Sequence, residues 1–337
     1  MTITNKKYIQ KYLVLFLVSP WIIIYTTYAV QSFKYAKETR KEQLMQKWFA
    51  KYYHNNMTTP NQLADEGEGG KYKILDITQM EFYGQKNGKY KPDQIILQRY
   101  FRIPPISNHI QQETVEWRKT SQTRQYYYRT QGTFVELGAL DGLLYSNTLA
   151  FEKFLNWTGV LIEPVPSNYR KLRLNRPKVK TIHSAVCDHI GKVEFVGNGA
   201  TAGSTQTMSH KHRKKFQNKW DTLHQHQYIV PCEPLGNILQ RLGIEYIDFL
   251  SIDVEGAEWT VLKSISFSKI SIAVILVELD GTNPTKDEQC RQLLRQYDYQ
   301  YDFRIAANEY WYHPKSLRHS VLQGVHSNEA FFNSFLT

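Results

Sequence analysis

The run GTFVELGALDG, Gly132 to Gly142, constrains this chain more than any other stretch: a short apolar strand feeds straight into a glycine turn that carries two carboxylates, Glu136 and Asp141. A unit of this kind opens an α/β domain in which a nucleotide cofactor binds outside the carboxyl ends of parallel strands. The charges then choose among cofactors. A turn that cradles a pyrophosphate offers bare N–H groups and a helix N-terminus to an anion, and Asp141 would repel it. S-adenosylmethionine carries no phosphate and presents a sulfonium and an amino group, both cationic, so acidic residues at this turn favour it.

From Thr133 onward, strand and helix patterns alternate as a parallel sheet covered on both faces requires. Strands are predicted at Thr133–Leu137, Gly159–Glu163, Val179–Ser184, Asp248–Asp253 and Ala273–Glu278, and helices at Ser146–Leu155, Ser167–Leu174, Glu233–Leu242, Ala257–Ser264 and Lys286–Gln296. Short strands near Lys192–Val196 and Gln227–Cys232 enclose an insertion. Two aromatic-rich segments, Tyr299–Ala306 and Glu309–His313, are read as an antiparallel edge that closes the sheet. The expectation is a Rossmann-like α/β fold with a mostly parallel seven-stranded sheet and helices on both faces.

Ahead of this domain, Tyr12 to Val30 (YLVLFLVSPWIIIYTTYAV) holds no charged residue and approaches the roughly 20 apolar residues that cross a bilayer. It reads as an N-terminal transmembrane helix, a signal anchor; a cleaved signal peptide with Lys6, Lys7 and Lys11 as its basic start is the alternative. The chain thus divides into a basic tail (1–11), the span (12–30), a polar stem (31–70), an N-terminal extension or lid (71–130) and a catalytic domain (131–337). Basic residues flank the span on both sides, so a lumenal domain of the ER or Golgi is expected mainly from the usual behaviour of signal anchors, with the lipid bilayer as one partner. The acceptor Asn56-Met57-Thr58 fits a lumenal stem. The net charge of +11 suits nucleic acid, an anionic surface or an acidic substrate alike; its spread favours none, and no nucleic-acid partner is expected. Cys187, Cys232 and Cys290 form no CxxC pair, leaving room for one disulfide and a free thiol.

The predicted strand ends mark one rim. The first strand ends in Glu136-Leu137-Gly138, the second in Glu163, the third runs into Ala185-Val186-Cys187-Asp188, and the fourth ends in Asp253 with Glu255 beyond. Glu163 is placed to accept both hydroxyls of an adenosine ribose, as dinucleotide enzymes also arrange. The third glycine of G-x-G-x-x-G is missing, which argues against a dinucleotide. Asp253 or Glu255 could act as a base, the two could bind a divalent cation, or Glu255 could serve the start of the next helix; no metal site is assigned. The basic run Ser209–Trp220 reads as a solvated loop face, with a clamp for an anionic substrate as the alternative. Zinc at His210, His212, His224 and His226 is disfavoured for want of a matching cysteine pair.

The segments FVELGALDGLLYSNTLAFEKFLNWTGVLIEPVPSNYRKLRLNRP, HSAVCD and IDFLSIDVEGAEWTVLKSI together resemble the FkbM family of S-adenosylmethionine-dependent methyltransferases, with membrane-anchored Star-like members as the nearest type. The resemblance runs from about Thr133 to Val277. It implies a class I methyltransferase fold acting on a hydroxyl or carboxyl oxygen of a glycan or other small molecule. By position it implies Glu136, Gly138 and Asp141 around the methionine end of the cofactor, Glu163 at the ribose, Ala185, Val186 and Asp188 along the adenine, and Asp253 facing the sulfonium and acceptor. A non-catalytic relative that keeps the fold for binding or trafficking is the other reading.

Overall fold

The computed structural model describes residues 72–86, 91–103, 125–222 and 227–322. All lie in the second of two units into which the chain divides, Asn61–Thr337. The predicted span, its stem and the acceptor Asn56 lie outside the described residues. Among those described, no helix is long and apolar enough to cross a membrane.

Three strands come first: β1 (Tyr72–Asp76), β2 (Arg102–Ile103) and β3 (Gln125–Arg129) pair as a small sheet of order β1-β3-β2, with helix α1 (Pro92–Tyr100) between β1 and β2. The main sheet then begins with β4 (Thr133–Leu137), followed by α2 (Leu149–Leu155), β5 (Thr158–Ile162), α3 (Pro166–Asn175) and β6 (Lys180–Ile182). A satellite sheet interrupts it, built of β7 (Ala185–Val186), β8 (Gly191–Val196), β9 (Gly203–Ser204) and β10 (Tyr228–Glu233) in the order β7-β10-β8-β9, with α4 (His210–Thr222) between β9 and β10. After α5 (Leu235–Arg241) the chain returns as β11 (Tyr246–Ile252), α6 (Glu258–Lys263), β12 (Ser271–Glu278), α7 (Pro284–Gln296), β13 (Gln300–Ile305), β14 (Asn308–Tyr312) and α8 (Pro314–Leu322).

The seven-stranded sheet has the order β13-β14-β12-β11-β4-β5-β6. β4 pairs parallel with β5 on one side and with β11 on the other, and β14 runs antiparallel to both β12 and β13. The chain therefore builds outward from β4 through β5 and β6, then crosses to the far side of β4 at β11. That reversal opens a crevice at the carboxyl ends of β4 and β11, the place where open α/β sheets bind ligands.

Alternation along the strands sends side chains to two cores. Val135, Leu137, Leu250, Ile252, Ile275 and Val277 pack with Leu239, Leu262 and Leu294 of α5, α6 and α7. Phe134, Leu161, Phe249, Val274 and Leu276 pack on the opposite face with Leu97, Phe151 and Leu172 of α1, α2 and α3. Each such fully buried side chain contributes roughly 1.5–3 kcal/mol, so the rim is carried by a sheet held from both sides.

Two elements depart from the sequence reading. The helix expected from Ser146 starts only at Leu149, because Ser146, Asn147 and Thr148 spend their hydrogen bonds on Glu136. The run expected as a loop over Ser209–Trp220 is helix α4, since His212, Phe216 and Trp220 recur every four residues and turn inward together. Cys187 and Cys232 are joined by a disulfide across β7 and β10, with Cα atoms 5.7 Å apart, and Cys290 is a buried free thiol.

Candidate active site

The glycine turn is pressed against the end of β11. Gly138 has φ +76°, and a Cβ there would lie 1.9 Å from the carbonyl oxygen of Asp253, so no side chain fits between the two strand ends. Past it, the Leu140 N–H donates to Glu163 Oε2 at 2.9 Å, and Asp141 Oδ1 accepts from the N–H groups of Leu143 and Leu144 at 3.0 and 2.8 Å. Asp141 thereby shapes the loop with its own carboxylate.

Glu136 is buried, and both of its oxygens are engaged. Oε1 accepts from the Asn147 N–H at 2.7 Å, and Oε2 accepts from Ser146 Oγ at 2.9 Å and Thr148 Oγ1 at 2.5 Å. Burial raises its pKa, while the Arg176 guanidinium and these hydrogen bonds pull the other way. Arg176 is itself 1% exposed and donates to the Gly142 carbonyl and Ser146 Oγ at 3.0 and 3.1 Å, and it also pairs with Glu152.

Glu163 closes β5. It accepts from the N–H groups of Val165 and Leu140 and from the Asn168 side chain, yet burial pushes its pKa up to about 7, with the nearby Asp141 charge adding to the rise. The Tyr228 hydroxyl, buried and under the influence of Glu163, meets no hydrogen-bond partner among the described residues, nor does the buried Asn147 Oδ1.

At the end of β11 the carboxylates crowd. Asp253, Glu255 and Glu278 each offer an oxygen within 4.8 Å of the other two. Asp253 lies against Glu278, and burial followed by the neighbouring negative charges raises the pKa of Asp253 well above the carboxylate range. The same three oxygens could hold a divalent cation. Glu255, with φ +53°, reaches His212 Nδ1 at 3.0 Å. Burial opposes protonation of His212, but its bonds to Glu255 and the Thr201 carbonyl outweigh that and raise its pKa. The carboxylate that serves the turn before α6 is Glu258, whose Oε1 accepts from the Gly256 N–H at 2.9 Å, rather than Glu255. Gly256 has φ +112° and lies so close to the Thr207 carbonyl that a Cβ would come within 2.4 Å.

The family model for the methyltransferase FkbM domain matches residues 136–301, which span this rim. The match to the FkbM methyltransferase domain takes in just under half of the chain. Among solved structures, a methyltransferase FkbM from Methylobacillus flagellatus is similar at 16% identity and a TM-score of 0.36, covering 54% of this chain and 43% of its own. The chain thus spans less than half of that protein. Fibrillarin from Aeropyrum pernix, in complex with S-adenosyl-L-methionine, is similar at 10% identity and a TM-score of 0.30, covering 56% and 77% of the two chains. A human methyltransferase 10 domain containing protein is similar at 11% identity and a TM-score of 0.31, covering 62% and 83%. No curated protein matches the chain.

Within the FkbM domain, the residues expected from sequence divide by position. Glu136, Gly138, Asp141 and Glu163 are connected through the glycine turn and its hydrogen bonds, and the backbone of Gly138 meets that of Asp253. Ala185 and Val186 form β7, and Cys187 after them is bonded to Cys232. Asp188 turns to the surface, where its carboxylate meets Lys263 Nζ at 2.8 Å, both being about half exposed. Sequence reasoning does not single out Arg176, Glu278 or Tyr228, and treats His212 only as a candidate zinc ligand. For Glu278 a signal existed, an acid at the end of a predicted strand like those at Glu163 and Asp253. For Arg176 the only signal was that a buried Glu136 needs a cation from somewhere.

Proposed function

We propose that this chain is an S-adenosylmethionine-dependent O-methyltransferase, anchored to a membrane of the secretory pathway by its N-terminal span, with the FkbM domain on the lumenal side. The observation that carries the reading is the crowding of carboxylates, most with raised pKa, around a glycine turn at the switch point of the sheet. Such a rim repels a pyrophosphate and attracts a cationic ligand. The unpartnered Tyr228 hydroxyl is a further polar group that a nucleoside ligand could satisfy. A disulfide at Cys187–Cys232 suits an oxidising compartment.

In this reading Glu163 accepts the ribose hydroxyls, its orientation set by the Leu140 and Val165 N–H groups. Ala185, Val186 and Asp188 border the adenine, while Glu136 acts through the 146–148 loop that it holds in place. S-adenosylmethionine supplies, when bound, a methyl group that an attacking oxygen can displace in line. Asp253 takes the proton from the acceptor hydroxyl, and its raised proton affinity suits a base working near neutrality. Glu278 stabilises the protonated form by its hydrogen bond, and His212 keeps Glu255 turned to the same point.

Calorimetric titration of the full chain with S-adenosylmethionine, its demethylated product and NAD tests this. Binding of the first two at one site, without NAD, is expected. Binding of none would leave a non-catalytic relative of the family, and binding of NAD alone would make the rim a dinucleotide site.

A further inference from the structure

Helix α4 has two faces of different kinds. Trp220 is fully buried, and the Phe216 and His212 rings pack at a tilt beside it, with centroids 6.3 Å apart from Trp220 to Phe216 and 4.8 Å from Phe216 to His212. His210, Lys211, Lys214, Lys215 and Lys219 are exposed, and their spacing places them along one side of the helix over about 14 Å. No acidic side chain among the described residues forms an ion pair with any of these four lysines. Lys215 Nζ lies 4.8 Å from the centre of the Phe216 ring, and the row as a whole is a local excess of positive charge that attracts anions.

The helix is tied to the reactive rim. His212 reaches Glu255 at 3.0 Å, and Lys211 acts on Asp280, just beyond the carboxyl end of β12. A ligand lying along the lysines would therefore run up to the carboxylates of the FkbM domain.

We propose that the outer face of α4 is the docking track for the acceptor, and that the acceptor is a glycan bearing repeated anionic groups. Repetition is required because one small anion would use one lysine and leave the rest unmatched. A nucleic acid fits less well, since the aromatic rings of α4 face inward and leave nothing on this side for bases to stack upon. The Cys187–Cys232 disulfide points the same way: an oxidising compartment holds anionic glycans, whereas the anionic membrane leaflet is the cytoplasmic one. This rests on the methyltransferase reading only in calling the docked chain the acceptor; the surface itself stands on the lysines.

The test uses the full chain with heparin as the anionic glycan, neutral dextran, and a single-stranded oligonucleotide matched to heparin in charge. Binding is compared for the wild type, for Lys211→Ala/Lys214→Ala/Lys215→Ala/Lys219→Ala, and for a control losing the same charge elsewhere, Lys171→Ala/Lys178→Ala/Lys180→Ala/Lys269→Ala. Heparin should bind in preference to dextran and oligonucleotide, and the α4 variant should weaken it about tenfold or more while the control changes little. Equal weakening by both variants would reduce the effect to net charge and overturn the proposal, as would an oligonucleotide held on α4 at least as tightly as heparin. Titration of the same samples with S-adenosylmethionine separates the two readings: lost cofactor binding with retained heparin binding would sink the enzyme and leave the docking surface.

Discussion

The two ends of β11 each carry an aspartate, and the protein treats them in opposite ways. At the amino end, Asp248 is 1% exposed and meets the Arg129 guanidinium at 3.2 Å, the Thr133 N–H at 2.7 Å and the Ser320 hydroxyl. A cation and several donors answer the charge. At the carboxyl end, Asp253 has Glu255 and Glu278 for neighbours, and among the described residues no guanidinium or ammonium forms an ion pair with Asp253 or Glu278. Breaking the first arrangement harms the fold, whereas the second is a crowd of carboxylates, answered in part by His212 at Glu255, that a cationic ligand would relieve. Glu136 belongs with the first kind, because Arg176 lies buried beside it.

Substitution should bring out this contrast. Asp253→Asn is expected to lower methyl transfer by about 10²–10⁴-fold, the usual contribution of a general base, while the melting temperature stays level or rises because a like-charge contact is relieved. A melting temperature that falls with turnover unchanged would place Asp253 with Asp248 as a structural group. Arg129→Leu, which leaves the buried Asp248 without its cation, should cost about 3–5 kcal/mol in denaturant unfolding, with turnover of the folded fraction preserved below the new midpoint. The smallest effect is expected at the half-exposed pair of Asp188 and Lys263, where Lys263→Ala should change stability by less than about 1 kcal/mol. Loss of cofactor affinity in Lys263→Ala would show that the pair holds the adenine wall.

What could be read from the sequence was what is local. The strand ends at Glu136, Glu163 and Asp253 follow from alternating patterns and short turns, and β4 occupies Thr133–Leu137 as expected. The antiparallel edge was legible for the same reason, since β13 and β14 are a hairpin of two neighbouring aromatic segments. What could not be read depends on distant residues meeting. Arg176 reaches the loop around Glu136 across two helices and a strand, Glu278 joins Asp253 only because β12 lies beside β11, and His212 meets Glu255 only because the 203–208 segment packs against Gly256. The helical spacing of His212, Phe216 and Trp220 was visible in the sequence, but the surrounding run of lysines and arginine outweighed it.

In the proposed function the carboxyl rim holds charge in reserve for a cationic methyl donor. Glu163 sets the pH window. Its folded pKa of about 7 stands above the ordinary 4.5, so its contribution to stability is fully present below 4.5 and is lost as the pH rises through 7. Its ionised form, populated across that same rise, is the better acceptor for ribose hydroxyls. Thermal unfolding of the full chain with and without S-adenosylmethionine, between pH 6 and pH 8, reads both effects at once. The ligand-free midpoint should fall with pH and the ligand-induced shift should grow, with both trends flattened in Glu163→Gln. A shift that is absent at both pH values, or one that shrinks as the carboxylates ionise, would contradict this role of the rim.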